Sequence, residues 1–411
     1  MLIKKKYLVS SNLFFPSVLI AILLSDIHFI PGNREVELLI LALIGIKIIF
    51  GYKVSFLLPR SFHEYVFLIF IAYMCINAVM SIVVNSISFH WLLYFLMFLP
   101  LMSEAKKITN WDIQRKINMI NLIVKFLLIY VIIGLISRVI DLSSSPIVVT
   151  MLLIPVSAFL PFAIINIKYG SQKNRILSYT LLLLCLFQIM LESSRGALVI
   201  YFATVFLGFW AIGLSKRSLK DMALMFPIIV LAIIGLLASA DVVTIINDTL
   251  LIFGGTAESG ALKDIDRFLN YIAMVEFFQE SSLGTILFGT GIRSAWIHAS
   301  SYLTNLYDIL LPSLDYSQDE TIIGMPGIII NTGIIGIILL IFTFVTNTLF
   351  VIKDLSFKWK IFIAFSILGV FARNFGNDIT TNAIFMFTIM PFGIYWFLAK
   401  FLKDIEKINI K

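Results

Sequence analysis

Charge is what this sequence has least of. Only 13% of its 411 residues are charged, against 60% hydrophobic, and a soluble chain carries about 25%. Cysteine is nearly absent. Cys75 and Cys185 both fall inside apolar stretches, so neither a disulfide framework nor a thiolate metal site is predicted. Histidine is scarce too, with His28, His63, His90 and His298. No Gly-rich loop ends in Gly-Lys-Ser or Gly-Lys-Thr, so nothing resembles a nucleotide P-loop. Internal repeats and low-complexity tracts are missing as well. Lys4 to Lys6 open an apolar run with no small-x-small cleavage site behind it, which reads as an uncleaved first span.

What the chain has is apolar runs of about 20 residues from end to end, the signature of a polytopic all-α membrane bundle. Twelve spans are expected, at about 8–29, 36–52, 64–84, 87–103, 117–137, 147–167, 176–191, 197–214, 222–240, 323–352, 359–377 and 382–402. The organisation is then membrane spans over 1–240, a long polar loop over 241–321, and spans with a tail over 322–411. Pro155 and Pro161 leave the sixth span open to a kink or a re-entrant pair.

The net charge of +7 follows from topology rather than from a nucleic-acid partner. With the N-terminus inside, 22 of the 31 Lys and Arg fall on inner links and seven on outer ones, while Lys47 and Lys125 lie within spans. Both termini are therefore expected in the cytoplasm and the long loop outside. Six of the seven outer cations are Arg: Arg34, Arg138, Arg195, Arg267, Arg293 and Arg373, with Lys263 the seventh. Arg is not required there for insertion, and its planar fork matches phosphate oxygens.

Five stretches could carry chemistry. Glu192-Ser193-Ser194-Arg195-Gly196-Ala197 joins two spans with almost no loop and sets Arg195 at a helix N-terminus, which favours anions. A Glu192–Arg195 pair pinning the turn is the plainer alternative. Between Lys263 and Gln279, Ile265, Phe268, Leu269 and Ile272 recur at helical spacing, with Asp264, Arg267 and Tyr271 on another face. This pattern predicts an amphipathic helix lying on the membrane surface. Gly284, Gly289 and Gly291 mark a turn that carries Arg293. Asp315, Asp319 and Glu320 precede the next span and, with His298, are the candidate bases towards a sugar hydroxyl. Arg373 and Asn374, with Asp378, close the eleventh span on the same side.

The Ser-Ser-Arg-Gly-Ala that opens an apolar helix, the large loop before the last spans, and Gly333-Ile-Ile-Gly336 after it together resemble the O-antigen polymerase and O-antigen ligase superfamily. Wzy-type repeat-unit polymerases are the most similar members. The resemblance is one of topology along the whole chain, with sequence likeness in about 192–210 and 264–340. It implies a bacterial inner-membrane protein whose loop is periplasmic, and transfer of glycan from undecaprenyl diphosphate to an acceptor hydroxyl. It implies no metal and no other cofactor. The partners would be lipid-linked glycan, membrane lipid and a chain-length regulator. By motif, Arg195 would hold the diphosphate. Arg267, Arg293 and Arg373 would join it, and Glu192, Tyr271, Asp315 and Asn374 would line the sugar site. Ligases of this superfamily carry a His shortly before the span that follows the loop. Gln318-Asp319-Glu320 stands there instead, which favours a polymerase over a ligase that delivers glycan to lipid A–core. A flippase or other transporter is the alternative of another class. Its longest link would lie near mid-chain, often inside, whereas here it follows the ninth span, outside.

Overall fold

The computed structural model describes residues 61–85, 107–140, 159–191, 195–213, 261–292, 294–310, 324–375 and 395–407, with 59 and 92. Among these the chain is all-helical and contains no strand. The helices are α1 Phe62–Asn85, α2 Ile113–Ile140, α3 Phe159–Tyr169, α4 Gln172–Leu191 and α5 Arg195–Ile212. They continue with α6 Ala261–Glu280, α7 Leu283–Phe288, α8 Ala295–Leu310, α9 Gly324–Ile352, α10 Phe357–Phe375 and α11 over 395–407.

Three of them are long and apolar enough to cross a membrane: α1, α2 over Ile113–Leu135, and α9. At about 1.5 Å per residue each exceeds the ~30 Å hydrocarbon core of a bilayer. Their outer faces are apolar as well. Ile69, Ile76, Val83 and Val84 of α1 are exposed, as are Ile338, Phe342 and Leu349 of α9. A helix that is apolar all round requires a solvent other than water. The expected spans at 8–29, 36–52 and 222–240 lie outside the described residues, as does nearly all of 87–103.

The main core joins α1 to α5 with α9, α10 and α11, through side chains such as Phe70, Tyr130, Phe162, Tyr201, Phe362 and Tyr395. α1 runs antiparallel to α9, since His63 stacks on Phe350 while Tyr73 reaches Thr332. α5 packs on α10, and α2 packs on α4. A second, smaller core lies in the polar interval. Leu269, Ala273 and Phe277 of α6 meet Ala295, Ala299 and Leu303 of α8, and Ile330 of α9 closes it. The sequence pattern predicted α6 as a surface helix on the membrane. Of its apolar stripe, Leu269 and Ile272 pack in the small core shared with α8.

One end of the bundle is tied by charge. Lys116 of α2 is fully buried and its Nζ lies 2.6 Å from Asp404 Oδ2 of α11. Lys403 pairs with Asp354 at 2.5 Å and holds that carboxyl below its ordinary range. Ser356 Oγ donates to Glu406 at 2.6 Å. Lys168 Nζ donates to the carbonyl of Ile212 at 2.7 Å, capping the C-terminus of α5. The lysines that the charge pattern assigns to the inner links thus meet at a common end, where α11 is the element they share.

Asp404→Asn should destabilise the fold by about 3 kcal/mol, because it leaves a buried ammonium without its partner. Lys116→Met, which removes the buried charge itself, should cost far less. Thermal unfolding of both variants in detergent checks the contrast, and equal losses would refute it.

Candidate functional site

α9 is not one straight helix. At Gly333 the backbone turns to φ 66, ψ −179, and two helical pieces meet there. A break in a helix orphans carbonyls on one side and N–H groups on the other. Other elements take them up. The Ile330 carbonyl accepts from Thr290 N at 2.9 Å and the Asn331 carbonyl from Gly291 N at 3.0 Å. The Thr332 carbonyl accepts from the Tyr73 hydroxyl at 2.5 Å, and the Gly336 backbone hydrogen-bonds the same hydroxyl. Tyr73 is therefore inserted into the Thr332–Gly336 link that an unbroken helix would make directly.

Tyr73 begins a polar stripe on α1 at a spacing of four: Tyr73, Asn77, Ser81 and Asn85. The orientation of the Asn77 amide that satisfies both its ends puts nitrogen 3.1 Å from the Phe288 carbonyl and 3.3 Å from that of Asn331. Ser81 Oγ donates to the Ile292 carbonyl. Asn85 Nδ2 donates to the Thr290 carbonyl at 2.9 Å. Each side chain of the stripe thus takes a backbone carbonyl from the segment after α7 or from the break in α9.

Glycine makes the close approach possible. Gly289 (φ 81) and Gly333 (φ 66) face one another. A Cβ on Gly289 would lie 2.6 Å from Gly333 N, and one on Gly333 would meet the Leu287 carbonyl and Gly289 N. Both positions need the left-handed backbone and the missing side chain.

The same knot sets α8. Asn331 Oδ1 accepts from Ser294 N at 2.9 Å and from Ala295 N at 2.8 Å, so the cap of α8 comes from another helix. One turn into α8, His298 Nε2 lies 2.9 Å from Asn85 Oδ1. Tyr302, a further turn on, donates to Glu280 Oε2 of α6 at 2.5 Å, and this bond pushes its hydroxyl pKa up.

Of the expected site residues, His298 is half-buried against Asn85, and Tyr271 is exposed on α6. Arg195 opens α5, Arg267 lies in α6, and Arg373 and Asn374 lie in the last turn of α10. Glu192, Arg293, Asp315, Asp319 and Glu320 lie outside the described residues, as do the side chains of Arg195, Arg267, Arg373 and Asn374. The backbone brings two of these places together. α5 and α10 are antiparallel, with Trp210 against Phe357, Gly208 beside Phe362 and Ile200 beside Gly369. Carried to the ends, that register puts Arg195 level with the Arg373–Asn374 turn. His298 lies on α8, which packs on α6 and α9.

Sequence reasoning missed the stripe on α1 and Asn331. The four-residue spacing of polar side chains in an apolar helix was the available signal. Among the described residues no group of three or more His, Cys, Asp or Glu side chains could hold a metal ion. No protein-family model matches the chain, and a search of curated proteins finds no match.

Asn331→Ala should free the first turn of α8. Amide exchange at 294–298 should speed up about tenfold or more, with little change in α2. Uniform protection across both helices would count against the cap. Gly333→Ala should cost about 2 kcal/mol or more through strain and overlap at a φ of 66. Thermal unfolding measures it, and a neutral outcome would mean that the break is not built in.

Proposed function

We propose that this chain is an integral-membrane glycosyltransferase that polymerises lipid-linked oligosaccharide repeats. In this reading twelve spans cross the bacterial inner membrane with both termini in the cytoplasm. The donor is glycan on undecaprenyl diphosphate and the acceptor is a hydroxyl of the next repeat. The bond from the anomeric carbon to the diphosphate oxygen breaks, its electron pair leaves with the diphosphate, the acceptor oxygen bonds to that carbon, and the proton of the acceptor hydroxyl passes to a base, for which Asp319 and Glu320 are the candidates.

The observation that carries the reading is the α5–α10 register, with Arg195 level with Arg373–Asn374 at the end opposite the lysine-rich links. Two guanidinium-bearing turns at one depth suit an anion such as a lipid diphosphate. Fixed cations beside a leaving group lower the barrier, because its charge grows in the transition state. The layer of α6, α7 and α8 would then take the glycan, and His298 would meet sugar rather than diphosphate.

Among the described residues the break in α9 favours a transporter, since discontinuous helices line substrate sites in that class. Here its carbonyls are already taken by Thr290, Gly291 and Tyr73, which leaves little for a transported ion or solute. A ligase shares the diphosphate chemistry and differs in its acceptor.

Arg195→Ala should lower chain elongation about 100-fold while the protein still inserts, and Arg373→Ala should do the same. The assay is polymer length from purified lipid-linked repeats. Full-length ladders from either variant would remove that Arg from the site.

A further inference from the structure

We infer that Asn85 is a positioning residue that fixes the tautomer of His298, so that Nδ1 accepts a hydroxyl hydrogen from the incoming glycan. The inference rests on the glycosyl-transfer reading for the identity of the ligand, but not for the tautomer.

One amide decides which ring nitrogen holds the proton. The Thr290 carbonyl can only accept, so the end of Asn85 facing it at 2.9 Å is the nitrogen. The oxygen of that amide then faces His298 Nε2 at 2.9 Å. An amide oxygen has no proton to give, so Nε2 must carry one. In the neutral ring this leaves the lone pair on Nδ1. Nδ1 has no hydrogen-bond partner among the described residues.

Nothing along this line is free to turn over. Thr290 is held at both N and Oγ1 by the Ile330 carbonyl, at 2.9 and 3.1 Å. The first turn of α8, which carries His298, is pinned by Asn331. Ser294 Oγ closes the underside through Thr290 Oγ1 at 2.6 Å. Moving the proton to Nδ1 would set a bare Nε2 against an amide oxygen, flipping the ring would set a C–H there, and flipping the amide would set its nitrogen against Nε2–H and its oxygen against a carbonyl. The ring is half-buried, and Tyr302 one turn on lies on the same face of α8. The Tyr302 hydroxyl gives its proton to Glu280 and so is not the donor that Nδ1 lacks. A half-buried acceptor lone pair wants a donor, and a glycan offers hydroxyls.

The test is nitrogen NMR on ¹⁵N-histidine-labelled full-length protein in detergent at pH about 8, where an ordinary imidazole is neutral. With four histidines in the chain, His298→Ala assigns the signal. Wild type should show Nε2 protonated and Nδ1 bare, and Asn85→Ala should show both tautomers. With purified lipid-linked repeats, Asn85→Ala should raise KM for the incoming repeat about tenfold and leave kcat within about twofold, the mark of lost binding, and His298→Ala should raise KM at least as much. A protonated Nδ1 in wild type overturns the inference without need of any variant. An unchanged KM in both folded variants overturns the contact with glycan. If wild type yields no polymer at all, it is the glycosyl-transfer reading that falls, and the tautomer stands or falls on the spectrum alone.

Discussion

A helix broken inside an apolar bundle must find partners for the polar groups it exposes, and in this protein that demand organises one whole end. The break at Gly333 frees the carbonyls of residues 330 to 332, and each is answered from a distant part of the chain. Thr290 and Gly291 supply backbone donors, and Tyr73 supplies a hydroxyl. In hydrocarbon an unanswered carbonyl costs several kcal/mol. The segment after α7 therefore cannot leave without exposing α9, and α1 cannot shift without exposing both.

This arrangement explains why a polar stripe lies along a helix that is otherwise apolar. The stripe is Tyr73, Asn77, Ser81 and Asn85. Each reaches a main-chain carbonyl, which places the 288–292 strip at a fixed height against α1. Main-chain recognition of this kind depends on geometry rather than on side-chain identity in the strip. It is strict about glycine at 289, 291 and 333.

Much of the helical frame was legible in the sequence. The apolar run expected at 64–84 is α1 at Phe62–Asn85, and the run at 323–352 is α9. The apolar positions Leu269 and Ile272 of α6 were readable from their spacing, but the helix that covers them was not, because pairing between α6 and α8 leaves no local mark. Gly289 and Gly291 read as a turn, and their partner 40 residues on could not be read. Asn331 looks like an ordinary polar residue in a span, and its role as a cap exists only in three dimensions. The arginines were found by counting charge. The level match of Arg195 with Arg373 needed the register of α5 on α10.

The buried lysine of α2 has a consequence for biosynthesis. Lys116 and Asp404 are 288 positions apart. At roughly 5 to 20 residues per second, ribosomes take roughly 15 to 60 s to cover that distance. For that interval the ammonium lacks the carboxylate that holds it in the finished fold. The arrival of α11 lets it settle, which makes the last described helix the clasp that completes assembly.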